Sequence, residues 1–124
     1  MFRLIDLKNK IIYYNYKENG FDIIPYKKTY KVIKTNDSKQ KDLKKNFLVS
    51  IDIGLTDIHG RLLYTEDVIE FMTEQNPFCI GVIKYINNIG FAIKTPKNKI
   101  ININNAYNIT LSDDYNDPLS GQYL

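Results

Sequence analysis

The stretch Ile80-Gly81-Val82-Ile83-Lys84-Tyr85-Ile86-Asn87-Asn88-Ile89-Gly90-Phe91-Ala92-Ile93-Lys94 decides the fold class. Two runs rich in β-branched and aromatic residues flank Asn87-Asn88, a pair that accepts the left-handed backbone of a tight turn. The stretch therefore reads as two antiparallel strands joined by a short connection. Toward the C-terminus, Pro96-Lys97-Asn98-Lys99 turns the chain into Ile100-Ile101-Asn102-Ile103, and Tyr107–Leu111 is a last strand candidate. Ser112 to Leu124 reads as a short tail, acidic and then loose.

Toward the N-terminus, Phe47-Leu48-Val49-Ser50-Ile51-Asp52-Ile53 is a strand closed by Gly54, and His59-Gly60 marks a tight turn. Asp67–Phe71 reads as a strand. A helix over Thr65–Gln75 competes, because Val68, Ile69 and Met72 also fall at helical spacing. Five or six short strands joined by tight turns over about 65 residues are what a small, strongly bent antiparallel barrel needs.

Further upstream, Lys34 to Asn46 holds Leu43 as its single apolar residue and cannot bury a face. Composition thus predicts a charged linker or long loop at 34–46. It separates an N-terminal β extension (1–33) from the barrel domain with its tail (47–124). In the extension, Phe2–Ile5, Lys10–Tyr14, Phe21–Ile24 and Thr29–Ile33 read as strands. Asn19-Gly20 is a turn, and Pro25 ends the third strand or places it on an edge. The expected fold is mainly β. Composition agrees: the 124 residues include no Trp and only two Ala (Ala92 and Ala106), against 10 Tyr and 6 Phe.

Charge is unevenly placed. Residues 1–46 carry 12 Lys and Arg against 5 Asp and Glu, and residues 47–124 carry 5 against 9, leaving the whole chain at +3. The N-terminal half is thus a candidate basic surface. The single cysteine, Cys79, rules out an intramolecular disulfide framework and suits a reducing compartment. The chain opens with no long apolar signal segment, and no apolar run approaches the roughly 20 residues that span a bilayer. A cytoplasmic protein without membrane partners is expected.

Catalytic and metal motifs are weak. Val49–Thr56 looks like the first phosphate loop of the sugar kinase and actin ATPase superfamily, but 124 residues cannot house that fold's two large lobes. His59 is the only histidine, and Asp113, Asp114 and Asp117 form the only tight acidic cluster, read as a solvated tail. Ser50, His59 and Asp57 assemble a nucleophile–base–acid set only on paper, since the last two are turn residues. No enzymatic activity, cofactor or metal is expected. Tyrosines interleaved with lysines carry more: Tyr13, Tyr16, Tyr26, Lys27, Lys28, Tyr30 and Lys31 could stack on bases and neutralise phosphates. The competing account makes the tyrosines core or rim residues of strands, with lysines on the wet face.

The run from Gly54 to Ile69, with Gly54, Leu55, Asp57, Gly60, Tyr64 and Asp67 at its key positions, resembles a family signature. The signature reads Thr-Gly-Leu-x-Asp-x-Asn-Gly-x-x-Ile-Tyr-Glu-Gly-Asp-Ile-Val and belongs to the YopX family of phage and prophage proteins. The opening Phe2–Lys10 is similar to that family's Phe-Arg-x-Trp-Asp-x-x-x-Lys start, and Tyr115–Leu119 to its closing Tyr-Glu-Asn-Pro-Glu-Leu. Departures are Ile5 for Trp, Ile53 for Thr, His59 for Asn and Thr65-Glu66 for Glu-Gly. The resemblance implies an SH3-like C-terminal barrel behind an N-terminal β extension, in a protein acting inside a bacterial host cell. It carries over no catalytic residue, and the signature itself reads as structural: Gly54, Asp57 and Gly60 shape a turn between apolar anchors.

Two functions follow. The leading one is an accessory module that binds a host or phage protein in replication, transcription or anti-defence. The alternative is a nucleic-acid binder using the Tyr/Lys-rich N-terminal half and the Lys39–Lys45 run. An unsatisfied strand edge also leaves a homo-oligomer open.

Overall fold

The hairpin centred on Asn87-Asn88 forms, and the second half of the chain is organised around it. The structure is a computed structural model and describes residues 2–112. It contains eleven strands: β1 (Phe2–Asp6), β2 (Ile11–Tyr13), β3 (Phe21–Tyr26), β4 (Thr29–Lys34), β5 (Phe47–Thr56), β6 (Leu62–Tyr64), β7 (Val68–Met72), β8 (Cys79–Ile86), β9 (Gly90–Lys94), β10 (Ile100–Asn102) and β11 (Tyr107–Leu111). Two single 3-10 turns, Lys44–Asn46 and Ile103–Asn105, accompany them, and the described residues contain no α-helix. The fold is mainly β, and every strand pair of known register is antiparallel. Among the described residues no helix is long and apolar enough to cross a membrane.

The chain divides into two compact units, Met1–Ser50 and Ile51–Leu124. In the second, the strand order is β10-β9-β8-β7-β11. At the central hairpin, Ile86 pairs with Gly90, and Asn88 and Gly90 both take positive φ (70° and 92°). The segment 65–75, where strand and helix competed, contains β7. β7 pairs with β8 and β11, and Val68 and Ile69, which point to opposite faces, are both buried, so both faces are covered at its start and alternation is lost there. Gly81 is required by a close approach: a Cβ there would stand 2.5 Å from Ile93 Cγ2 and 2.9 Å from the Lys94 carbonyl oxygen.

The curvature of this sheet follows from chain length. Only residues 103–106 separate β10 from β11, which are opposite edges of the sheet. A flat sheet of this size would hold its edges about 19 Å apart, while five chain steps span at most about 17 Å and less through a 3-10 turn. The sheet must curl, and it forms a half-barrel. Its interior is packed with Leu63, Ile69, Phe71, Ile83, Ile93 and Ile103.

In the first unit, β1–β2 and β3–β4 are separate hairpins. Asn19-Gly20 does turn the chain, with Gly20 at φ 88°, but that turn links the two hairpins instead of forming one. Pro25 lies inside β3, opposite Tyr30, in a sheet of only two strands where both are edges. Leu4, Val32 and Phe47 make the core, flanked by Phe21, Ile23, Leu43 and Val49. Arg3 is buried and donates from Nε to Ser50 Oγ at 2.7 Å.

Residues 34–46 belong to the first unit as a loop. Leu43 packs on the core, its N–H bonds the Val32 carbonyl (2.7 Å), and the Val32 N–H bonds Asp42 Oδ1 (3.3 Å). The tail beyond Ser112, including Asp113, Asp114 and Asp117 and the Tyr115–Leu119 similarity, lies outside the described residues.

Candidate interaction surfaces

The seven Tyr/Lys residues singled out from the sequence divide between core and surface. Strand alternation fixes the division: Phe21, Ile23 and Pro25 on β3 stand opposite Lys34, Val32 and Tyr30 on β4, so this face carries the core residues. Tyr30 packs there, as do Tyr13, whose ring centroid lies 5.3 Å from that of Phe21, and Tyr16. Tyr26, Lys27 and Lys28 are exposed at the β3–β4 turn. Lys31 is half-buried on the outer face, its Nζ 4.3 Å from the Tyr26 ring centroid, and Lys27 Nζ lies 5.2 Å from the same ring. Cation–π attraction thus holds the hairpin tip as a compact aromatic–ammonium cluster.

The 36–45 loop brings further lysines to this hairpin. Lys31 Nζ donates to the Gln40 carbonyl and Lys44 Nζ to the Tyr30 carbonyl, both at 3.1 Å. The loop's two acids are turned onto its own backbone. Asp37 accepts the N–H groups of Lys39 and Lys41, and these bonds hold its carboxyl below the usual range. Asp42 accepts from Lys44 and Val32, chiefly from Lys44, with the same direction of shift.

In the second unit, the signature residues are mostly architectural. Gly54 and Gly60 take positive φ (78° and 80°), as does Glu66 (75°). Asp67 Oδ2 accepts the Tyr64 N–H at 2.8 Å, and Glu66 Oε2 pairs with Lys84 Nζ at 2.7 Å. Asp57 is the hub. Its buried carboxylate accepts the backbone N–H groups of His59, Arg61 and Leu111 and the Arg61 Nε. Burial alone would raise its pKa, but these four bonds outweigh it and hold the group at about 2. Together with the bond from the Ile58 N–H to the Ile109 carbonyl, Asp57 fastens the β5–β6 turn to β11, the open edge of the sheet.

The paper triad takes other roles. Ser50 Oγ accepts from Arg3, Asp57 meets His59 through the backbone N–H, and His59 itself is exposed on the turn. Among the described residues no group of three or more His, Cys, Asp or Glu could hold a metal ion. Leu55 is exposed instead of anchoring the core.

One feature escaped sequence reading. Phe78 is 88 % exposed, although it sits in the apolar run Phe78-Cys79-Ile80. It stands at a cleft of about 380 Å³ lined by Met72, Pro77, Cys79 and Ile80, with Glu70 and Thr110 alongside. Strand register explains the lining: Glu70 stands opposite both Ile80 and Thr110, so the three form a row across β8, β7 and β11. Cys79 itself is half-buried against the core. Comparison of the chain with family models, with curated proteins and with solved structures finds no match.

Proposed function

We propose that the chain is a non-catalytic protein-binding module of the YopX-like phage or prophage type, acting on a host or phage protein in replication, transcription or anti-defence. The observation that carries this reading is Phe78, a large aromatic left in water at the head of an apolar cleft. Aromatic residues of this kind anchor protein interfaces, because they bury much area at little entropic cost. Glu70 gives the cleft an acidic rim, and it fits an extended partner segment with an apolar side chain beside a lysine or arginine.

Two further facts support the family and fold. The three positions where the signature has glycine, 54, 60 and 66, all take positive φ, and the third does so with glutamate. The order β10-β9-β8-β7-β11, with a 3-10 turn before a last strand that pairs with the first, is the order expected of an SH3-like barrel.

The test is affinity capture from host lysate with the wild-type chain and with Phe78→Ala, each with and without nuclease. A nuclease-resistant protein held by the wild type and lost from Phe78→Ala is the expected result. Equal recovery on both baits would remove the cleft as the binding site, and no protein on either would sink the reading.

A further inference from the structure

We infer that the first unit carries a second, independent surface, which binds the phosphate backbone of nucleic acid. Eight lysines stand against two aspartates in residues 27–45. The fold converts that run of sequence into a surface. Leu43 and Asp42 lay the loop along β4, while Lys31 and Lys44 bond across to Gln40 and Tyr30, so hairpin and loop lysines share one ridge. Both aspartates spend their carboxylates on backbone N–H groups and form no ion pair with a ridge lysine among the described residues.

Lys28, Lys39, Lys41 and Lys45 have exposed side chains with no hydrogen bond or ion pair among the described residues. Their ammonium groups are available to an incoming anion.

Nucleic acid fits better than an acidic protein for two reasons. The loop folds back onto the hairpin, Lys44 reaching Tyr30 and Lys31 reaching Gln40, so turn and loop lysines gather on one stretch of surface that can meet several successive phosphates. At the turn end, Tyr26 is 41 % exposed with Lys31 and Lys27 over its ring, so a base that stacks on the exposed part of the ring meets ammonium groups beside it. The ridge lies in a different unit from the Phe78 cleft, so either assignment can fail without the other.

The test titrates the full chain against a labelled mixed-sequence single strand of about 20 nucleotides. With four or five phosphate contacts, affinity should fall roughly 50- to 130-fold between about 50 and 200 mM salt. The variant K28Q/K39Q/K41Q/K45Q should bind at least about 10-fold more weakly at the lower salt, with an unchanged circular dichroism spectrum and melting curve. The variant K94Q/K97Q/K99Q, altered in the second unit, should bind as the wild type does. Affinity indifferent to salt, or a quadruple variant that binds like the wild type, overturns the assignment. Polyglutamate competing as well as the oligonucleotide at equal charge overturns it in favour of an acidic protein.

Discussion

Each unit has a strand whose outer edge is exposed to pairing, and each covers it partly with an aspartate. In the first, Asp42 accepts from the Val32 N–H of β4 at 3.3 Å while its residue stays exposed to solvent. In the second, Asp57 accepts from the Leu111 N–H of β11 at 3.1 Å, but its side chain is fully buried and takes three more donors. The residue type and the job are the same, so the difference isolates what gives such a contact its weight. A solvated carboxylate trades water for two amides, those of Val32 and Lys44. A buried one, itself out of reach of water, gathers four donors from the turn and from β11 at one point.

The largest expected effect is that of Asp57→Ala. It strips the acceptor from three backbone N–H groups and from Arg61, and should cost about 3 kcal/mol, with a midpoint about 10 °C lower by calorimetry. A loss below about 1 kcal/mol would mean that the pairing with β7 and the Ile58–Ile109 bond suffice to hold β11.

Acid should act on the same contact. The folded pKa of Asp57 lies near 2, below the ordinary 3.8, so its contribution is complete above about pH 4 and drains away as pH falls toward 2. The shift corresponds to at most about 2 kcal/mol, reduced by screening because Arg61 is partly exposed. Urea unfolding at stepped pH should show this slope in the wild type and a clearly smaller one in Asp57→Asn, the remainder coming from groups such as Asp37 and Asp42; an undiminished slope would assign the acid sensitivity elsewhere.

The smallest effect is expected of Asp42→Ala, under about 1 kcal/mol, with hydrogen exchange quickening at the Val32 and Lys44 amides. A penalty as large as that of Asp57 would erase the contrast between the two edges.

The sequence showed the strands better than it showed their neighbours. Ile80–Lys94 was legible because β-branched and aromatic content and turn chemistry agree there. Segment 65–75 was not, since Val68, Ile69 and Met72 suit either period, and only flanking by β8 and β11 decides for a strand. Residues 34–46 look like a linker by composition, because one leucine and a few backbone bonds leave almost no compositional trace. The Tyr/Lys cluster was visible as residues but not as a surface. Which tyrosines face the core depends on the register of β3 against β4, which places Tyr30 inward and Tyr26 outward. Phe78 was not singled out, since it stands in an apolar run and nothing local announces that it stays in water.

The four residues between β10 and β11 behave as a drawstring. The curvature of the half-barrel is written into a count of residues, in addition to the packing that Ile103 and Ala106 contribute. Lengthening the segment would slacken the sheet even with its packed interior unchanged, whereas the β8–β9 and β9–β10 loops join neighbouring strands and can grow without that penalty. Insertions should therefore be tolerated very unevenly around this unit. The tightest place is the short run Ile103-Asn104-Asn105-Ala106, which nothing in its composition marks as a tether.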